Sequence, residues 1–314
     1  MNRYKISVII PVFNNQDTIE LIYTKLIKVF RKIKKNYQII FVDDFSEDNS
    51  CKKIQQICTF DKNVTFVKLT KNFGQRFATM AGLKYAIGDY VMNLDADLQD
   101  PPEILETISK AIVLKKTEII IAARKSVDEY FFKKITSYIQ HKIMNFLITE
   151  YPKEGYSIWC ISKNLVKKIN QKGNNISLLP LEILNYGFKY KIIYYARQKR
   201  FSGKSQWTLL SRINLALEMI TLSPSSILRS CLYIGAILLI LSFIYIINII
   251  FNYYYSQTPF SGYAPIIIVT LFLGGINIFV VGILAESLSV ILKELRSYDK
   301  YNIEKIINKP KKNN

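Results

Sequence analysis

The sequence predicts an α/β protein with a mostly parallel sheet, followed by a membrane anchor of two helices. In the N-terminal part, short β-branched runs that end in polar residues alternate with stretches of helical periodicity. Such β-α-β units have parallel strands, and their ligands bind outside the carboxyl ends of these strands. Farther along, no charged residue lies between Arg229 and Glu286. We therefore expect residues 1–224 to form a cytosolic domain, residues 225–292 to hold two membrane spans and residues 293–314 to form a basic cytoplasmic tail.

Two apolar runs predict the first β-α-β unit. Lys5–Val12 is rich in β-branched residues and predicts a central strand, and Gln38–Val42 predicts its neighbour. Between them apolar residues recur at helical spacing. Asp17 and Glu20 have the spacing of a capping box at the start of that helix.

Polar residues follow both of these strands. Asn14 lies in the loop after the first strand and Asp43 directly follows the second. Because the carboxyl ends of parallel strands meet at one edge of a sheet, we expect these side chains to converge. Asp43 has two interpretations at this point: it accepts hydrogen bonds from a nucleobase or ribose, or it caps the helix that starts near Ser50.

The third strand, predicted at Val64–Leu69, leads into a loop suited to phosphate. Lys71 supplies a cation there, Asn72 follows it, and Gly74 permits a close approach of the backbone. A helix over Arg76–Ala86 then returns the chain to the next strand.

That next strand begins at Tyr90 and ends by presenting two carboxylates. Alternation puts Asp95 and Asp97 on one face, and Gln99 continues this face. An isolated Asp-x-Asp more often caps a turn than binds a metal, but these residues lie at the predicted ligand edge. Oxygen ligands of this kind suit Mg²⁺ or Mn²⁺ shared with a phosphate ligand.

The remaining part of the domain is basic and amphipathic. Ile119–Ala123 predicts a strand that brings Arg124 to the same edge, and Tyr190–Tyr195 predicts another strand. Residues 131–148 have the pattern of an amphipathic helix, which either lies on the membrane surface or is buried in the domain. A second amphipathic helix is predicted near residues 207–222, just before the first membrane span.

Two apolar segments are long enough to cross a bilayer. Cys231–Phe251 and Ala264–Ala285 each have the length of a membrane-spanning helix. Both flanks are basic and the connector Asn252–Tyr263 carries no charge, so the positive-inside rule puts both termini in the cytoplasm. No apolar leader precedes the spans, so no signal peptide is expected. We expect a multi-pass protein of the cytoplasmic (inner) membrane.

Charge and cysteine content limit the functional classes. The net charge of +19 suits a lipid membrane surface and phosphate ligands. No nucleic-acid-binding module is found, and neither a dinucleotide-binding nor a P-loop glycine pattern occurs. The single His141 cannot build a zinc site with cysteines that form no Cys-x-x-Cys pair. The pattern is also compatible with a homo-oligomer. The cysteines are Cys51, Cys58, Cys160 and Cys231.

Five segments together resemble one protein family. They are Val8–Asn15, Phe41–Asp48, Lys71–Gly74, Asp95–Glu103 and Arg200–Trp207. In this order they resemble the inverting family-2 glycosyltransferases that act on polyprenyl phosphates, the dolichyl- or undecaprenyl-phosphate sugar synthases. The resemblance implies a GT-A-type nucleotide-sugar-binding domain with a mostly parallel sheet.

The resemblance also implies roles for individual residues. It assigns catalysis to Asp95, Asp97 and Arg200, and the metal, Mg²⁺ or Mn²⁺, to Asp95, Asp97 and Gln99. Donor binding is assigned to Pro11, Asn14, Asp43, Lys71, Asn72, Gly74 and Asp95. Acceptor-phosphate binding is assigned to Arg124, Ser157, Arg200 and Ser205. The chain departs from the family pattern at two positions, with Ser157 in place of an Asp and Gln206 in place of a Lys.

The implied reaction is inverting transfer of a single sugar from a nucleoside-diphosphate sugar, a UDP-sugar, to undecaprenyl phosphate at the cytoplasmic membrane face. One alternative is transfer to a hydroxyl of a growing glycan, which would need a base that Ser157 cannot supply. Another is a catalytically weak homologue that binds nucleotide sugar or lipid phosphate within a glycan assembly complex. The two departures favour this second alternative, and the intact metal triad disfavours it.

Overall fold

A computed structural model describes residues 4–115, 117–124, 156–172, 179–196, 224–256, 264–295 and 301–310. The chain divides into two compact units. The first comprises residues 1–205 and 297–314, and the second comprises residues 206–296. Both segments predicted as amphipathic helices, 131–148 and 207–222, lie outside the described residues, as do Arg200, Ser205 and Gln206.

The first unit is built from alternating strands and helices. Its strands are β1 (Lys5–Val12), β2 (Asn36–Asp43), β3 (Val64–Leu69), β4 (Tyr90–Asn93), β5 (Ile119–Arg124), β6 (Tyr156–Ser162), β7 (Tyr190–Tyr195) and β8 (Ile303–Ile307). Its helices are α1 (Ile19–Ile33), α2 (Ser50–Phe60), α3 (Gln75–Tyr85), α4 (Ile104–Lys115), α5 (Lys163–Lys172) and α6 (Leu179–Asn185).

The strands form one sheet in the order β7-β5-β6-β4-β1-β2-β3-β8. The pairs β4/β1, β1/β2, β2/β3 and β5/β7 are parallel, whereas β6 runs antiparallel between β4 and β5. The predicted α/β class with a mostly parallel sheet is therefore confirmed. The order also puts β1 at the centre, with the carboxyl ends of β4 and β2 on either side of its own.

Helices cover both faces of this sheet. Alternate residues of β1 point to opposite faces: Ile6, Val8 and Ile10 belong to one buried cluster and Ile9 to the other. Apolar residues of α1, α2 and α4 fill the first cluster, and those of α3, α5 and α6 fill the second. Gly82 of α3 lies so close to the sheet that an added Cβ would lie 2.5 Å from Cγ2 of Ile9. This glycine therefore lets α3 pack directly on β1.

One predicted local feature is wrong. Asp17 and Glu20 do not form a capping box, because the N-cap of α1 is Thr18, whose side chain makes no capping hydrogen bond. The backbone before α1 is instead held by the carboxylate of Asp48, which accepts a hydrogen bond from the Gln16 N–H at 3.0 Å. A tertiary contact has replaced the local cap.

The strand β8 was not predicted, because residues 293–314 were assigned to a basic tail. It follows the second apolar helix in sequence and pairs antiparallel with the edge strand β3. The Thr70 N–H donates to the Asn302 carbonyl at 3.0 Å. Tyr301 is buried in the cluster that α3 covers. Residues 301–310 are therefore part of the folded first unit.

Asn308 fixes the end of β8. Its backbone is left-handed, with φ of 52°, and its carbonyl accepts the hydroxyl hydrogen of Thr65 at 3.2 Å. Its side-chain amide donates to three carbonyl groups around the turn before β3, those of Cys58 at 2.9 Å, Val64 at 3.0 Å and Asp61 at 3.4 Å. One side chain thus joins β8 to the turn between α2 and β3.

The described residues of the second unit form two long apolar helices, α7 (Pro224–Ser256) and α8 (Ala264–Leu295). Each contains a window that is long and apolar enough to cross a membrane, Gly235–Asn252 and Ile268–Ala285. Gly235 approaches the backbone of Phe279 so closely that an added Cβ would lie 2.9 Å from its nitrogen. Many large apolar side chains on both helices are exposed. The segments predicted as spans lie within these two helices.

Candidate active site

Four loops at the carboxyl ends of β1, β2, β3 and β4 form the candidate site. The register aligns Val12 of β1 with Asp43 of β2, and Ile9 of β1 with Asn93 of β4. The residues that follow these strands therefore emerge at the same edge of the sheet, as the sequence predicts.

The loops after β1 and β2 are tied to each other. The backbone N–H of Asn14 donates to Oγ of Ser46 at 3.0 Å, and Oδ1 of Asn14 accepts the N–H of Glu47 at 2.9 Å. Asn14 adopts a left-handed backbone conformation, with φ of 54°. Pro11, also expected to bind donor, is buried in β1 beside Val42.

The carboxylate of Asp43 stabilises the turn that follows β2. It accepts the Ser46 N–H at 3.2 and 3.3 Å and the thiol hydrogen of Cys51 at 2.9 Å. Burial, together with the hydrogen bond to Asp43, raises the pKa of Cys51 to about 12, so its thiol stays protonated. Asp43 does not cap α2, whose N-cap is Asn49. Asp43 itself is buried in this structure.

Asp44 organises the loop after β3. Its carboxylate accepts the Phe73 N–H at 2.8 Å and the Gly74 N–H at 2.7 Å. Burial raises the pKa of Asp44, and these two backbone hydrogen bonds oppose that rise. Gly74 has φ of 91°, a conformation that side chains disfavour. The acidic pair at the end of β2 was the only sequence signal for this role.

Lys71, Asn72 and Gly74 all lie in the loop that Asp44 holds. Oδ1 of Asn72 also accepts the Gly74 N–H, at 3.1 Å. The ammonium of Lys71 lies 5.1 Å from the ring centre of Phe73. These three of the seven residues predicted to bind the donor therefore share one loop.

Gln75, the first residue of α3, connects this loop to the predicted metal site. Its side-chain amide donates to Oδ1 of Asp95 at 2.6 Å. Nothing in the sequence pattern indicated this contact, because a glutamine at a helix start has no distinctive signature.

The loop after β4 alternates between accessible and buried residues. Asp95, Asp97 and Gln99 are partly exposed, whereas the residues between them are buried. The Gln99 N–H donates to Oδ1 of Asp97 at 3.1 Å, and Leu98 has a left-handed φ of 57°. The three predicted metal ligands are therefore all partly accessible to solvent.

This donor set fits a cation that is shared with a phosphate ligand. Mg²⁺ in such sites takes one or two protein carboxylates and fills its other positions with water and phosphate oxygens. Within the described residues, no three His, Cys, Asp or Glu side chains cluster as a metal site. Binding at Asp95, Asp97 and Gln99 would thus depend on oxygen atoms of the ligand.

The loop after β4 is held by a hydrogen bond from β7. Asp100 is buried, and the hydroxyl of Tyr195 donates to its Oδ1 at 2.6 Å. Tyr195 is the last residue of β7 and lies in register with Arg124 of β5. Arg124, expected to bind acceptor phosphate, therefore has its backbone beside that of Tyr195, which holds the loop after β4.

Ser157 lies at an irregularity in β6. Ala122 of β5 pairs with Ile158, but Ala123 pairs with Tyr156, so Ser157 is the extra residue of a bulge. Bulges often occur beside active sites, where they redirect the strand. Next to it, Oδ1 of Asn93 at the end of β4 accepts the Trp159 N–H at 2.8 Å.

Comparisons with known proteins agree with this architecture. The family model of glycosyl transferase family 2 matches residues 7–168. The bactoprenol glucosyl transferase of the SfII prophage of Shigella flexneri is 31% identical over 312 residues, covering 96% of this chain and 98% of that protein. Undecaprenyl-phosphate 4-deoxy-4-formamido-L-arabinose transferase from Proteus mirabilis is 26% identical over 322 residues, covering 98% and 96%.

A solved structure supports the same fold. Mannosyl-3-phosphoglycerate synthase from Rubrobacter xylanophilus superposes with a TM-score of 0.50 at 16% identity, covering 70% of this chain and 72% of that one. At this identity the likeness concerns the fold alone. With the family match over the sheet and its loops, the chain belongs to glycosyl transferase family 2 and is a glycosyltransferase of GT-A fold.

Proposed function

We propose that this enzyme transfers one sugar from a nucleoside-diphosphate sugar, a UDP-sugar, to undecaprenyl phosphate, with inversion at the sugar carbon. One observation carries the proposal: a GT-A domain with an ordered ligand edge occurs in the same chain as two helices apolar enough to span a membrane. Relatives named for bactoprenol and undecaprenyl-phosphate acceptors align over nearly the whole chain, the helices included.

The donor would bind across the loops after β1, β2 and β3. Asn14 and Asp43 belong to the first two loops, which Ser46 ties together. Asp44 orders the third, where Lys71 offers a cation for the diphosphate and Gly74 lets the backbone approach it. These hydrogen bonds join the loops to one another within the protein itself, which lowers the cost of ordering them on binding.

Asp97, with Asp95 and Gln99, would hold Mg²⁺ or Mn²⁺ beside that diphosphate. The cation supplies positive charge that stabilises the leaving nucleoside diphosphate. Gln75 contributes by donating to one oxygen of Asp95, which fixes the carboxylate and links it to the donor loop.

The acceptor supplies its own negative charge. A phosphate monoester has a second pKa near 6, so its attacking oxygen is already anionic at neutral pH. Direct attack on the sugar carbon gives inversion, and positioning then matters more than a general base. This removes the need for a base at Ser157. Arg124, Arg200 and Ser205 are the proposed contacts for the acceptor phosphate.

The strand β8 supports the proposed membrane topology. It follows both apolar helices in sequence, yet it pairs with β3, which precedes them. One folded sheet lies on one side of a bilayer, so the chain between β7 and β8 must cross an even number of times. Two spans satisfy this condition, and the basic flanks assign both termini to the cytoplasm.

The test is product formation by the purified full-length protein in lipid vesicles. It is incubated with undecaprenyl phosphate, Mg²⁺ or Mn²⁺ and a panel of nucleotide sugars, and glycolipid is detected by mass spectrometry. We expect a single hexose-type addition with one donor, abolished in Asp97→Asn. Nucleotide-sugar binding without turnover of any donor would contradict the proposal and favour a catalytically weak binding component.

A further inference from the structure

Phe45 combines an exposed ring with an unfavourable backbone conformation. It directly follows Asp43 and Asp44 at the end of β2, its φ is 68°, and 43% of its surface is exposed. The left-handed region is unfavourable for residues with a Cβ, and a bulky residue there is an outlier.

Hydrogen bonds on both sides hold this conformation. The carboxylate of Asp43 accepts the N–H of Ser46, and Oγ of Ser46 accepts the N–H of Asn14. On the other side, the Asp44 N–H donates to the Val12 carbonyl at 2.8 Å. Strained residues persist where their surroundings determine the conformation in this way, and such residues concentrate at functional sites.

The fold gains little from the ring itself. Phe45 belongs to neither of the two clusters of buried residues. A glycine would satisfy the same backbone without cost, and a polar side chain would be better hydrated. The sequence instead has a large aromatic ring in this turn.

The position of Phe45 identifies what the ring could contact. Asp43 before it is the proposed nucleoside ligand, and Asp44 holds the loop of Lys71 and Gly74, where the diphosphate is proposed to bind. The turn of Phe45 thus connects the two loops that would hold the nucleoside and the diphosphate. A planar base is the part of the donor that an aromatic face binds favourably.

We propose that the ring of Phe45 stacks on the nucleobase of the sugar donor and is a binding residue of the donor site. This inference rests on the proposed function, because it requires a nucleoside-diphosphate ligand. Stacking accepts every base, so Phe45 contributes affinity and leaves the choice of base to hydrogen bonds elsewhere. The contribution expected for one stacked base is roughly 5- to 150-fold in Kd.

The experiment separates the base from the diphosphate. Binding of UDP, GDP, CDP, ADP and inorganic pyrophosphate is measured by calorimetry with Mn²⁺, using the full-length protein in detergent. The variants are Phe45→Tyr, which keeps the ring, and Phe45→Leu, which keeps apolar volume. We expect the best-bound nucleotide to lose at least fivefold in affinity in Phe45→Leu and less than twofold in Phe45→Tyr. Pyrophosphate affinity should stay constant throughout.

Phe60 offers a matched control. It ends α2, at the opposite edge of the sheet, and is also an exposed phenylalanine, with 68% of its surface accessible. Phe60→Leu should leave nucleotide affinity unchanged. An equal loss for Phe60→Leu and Phe45→Leu would mean that general destabilisation causes the effect and would overturn the inference.

Backbone strain is measured separately with two variants that lack the ring. Phe45→Gly should have a higher melting temperature than Phe45→Ala, since only alanine has a Cβ at this φ, yet both should bind the nucleotide equally weakly. If nucleotide affinity among the Phe45 variants correlates with melting temperature and not with the presence of the ring, the inference is overturned. Unchanged nucleotide affinity in Phe45→Leu would also overturn it. Failure of the wild type to bind any nucleotide would overturn the proposed function as well.

Discussion

Replacing Asp44 with Asn should weaken nucleotide binding with little loss of stability. The carboxylate accepts two backbone N–H groups, of Phe73 and Gly74. The amide of Asn keeps one acceptor oxygen and turns an NH₂ group toward the other N–H, so one of the two hydrogen bonds to residue 44 is lost. The loss of such a hydrogen bond to a charged group costs about 2 kcal/mol, or about 30-fold in Kd if the loop must be reordered on binding.

The effect on folding is smaller because the charge of Asp44 is itself unfavourable. Burial raises the pKa of Asp44 above the ordinary aspartate value of 3.8, so the folded protein holds a proton there more tightly than the unfolded chain. The cost of ionisation is therefore absent below pH 3.8 and fully present above the folded-state pKa. Asp44→Asn removes this cost at neutral pH, which offsets part of the lost hydrogen bond.

Asp61 provides the comparison. It is also a buried aspartate, and its carboxylate accepts the hydroxyl hydrogens of Tyr23 at 3.0 Å and Tyr37 at 2.8 Å, at the opposite edge of the sheet. Asp61→Asn should lower the melting temperature and leave nucleotide affinity unchanged. Calorimetry and thermal unfolding of both variants measure the two effects. Asp44→Asn with wild-type Kd, or with the larger loss of stability, would refute the role assigned to this carboxylate.

Four further predictions concern the metal site, the acceptor phosphate, the membrane topology and strand β8. Asp97→Asn should abolish glycolipid formation, and so should a chelator added to the wild type. The control Asp89→Asn, at the other end of β4, should keep this activity. Glycolipid formation by Asp97→Asn would exclude this metal site. Arg200→Lys should lose most transfer but keep slow donor hydrolysis, because lysine cannot grip phosphate through two oxygens; an equal loss of both would assign the phosphate elsewhere. A tag inserted near Ser256 should be accessible to external protease in intact cells, and protection of that tag would contradict the topology. Asn308→Ala should lower the melting temperature by about 4–8 °C, from roughly 2 kcal/mol of lost hydrogen bonding, and an unchanged value would mean that β8 is held by its backbone alone.

The sequence predicts the parallel part of the sheet well because its signals are local. β1 and β3 are β-branched runs buried on both faces, and their observed limits agree with those predicted. The loops after them were predicted to meet because parallel strands share an edge. Asp95, Asp97 and Gln99 were expected to share a face by strand alternation, but β4 ends at Asn93 and all three lie in the loop that follows it. Their role as metal ligands stays a prediction.

The features that the sequence did not predict depend on contacts between residues that are far apart in the chain. Gln75 and Asp95 are 20 residues apart, and Tyr195 and Asp100 are 95 apart, so no local pattern reveals either pair. The antiparallel strand β6 was not predicted, because chain order does not say which strands become neighbours, and Ser157 within it was identified only through the resemblance. Ile303–Ile307 contains three isoleucines but is only five residues long, and it becomes a strand because β3 offers an unpaired edge.

The pairing of β8 with β3 also sets an order of events during synthesis. The ribosome completes β8 only after both apolar helices have been made, so the nascent domain keeps β3 as an open edge until then. An open edge of this kind is a site for association with other chains. In the proposed topology, the two spans return the last strand to the side of the membrane where the sheet lies, and β8 then covers that edge. Chains that end before residue 301 would therefore keep β3 as an unpaired edge.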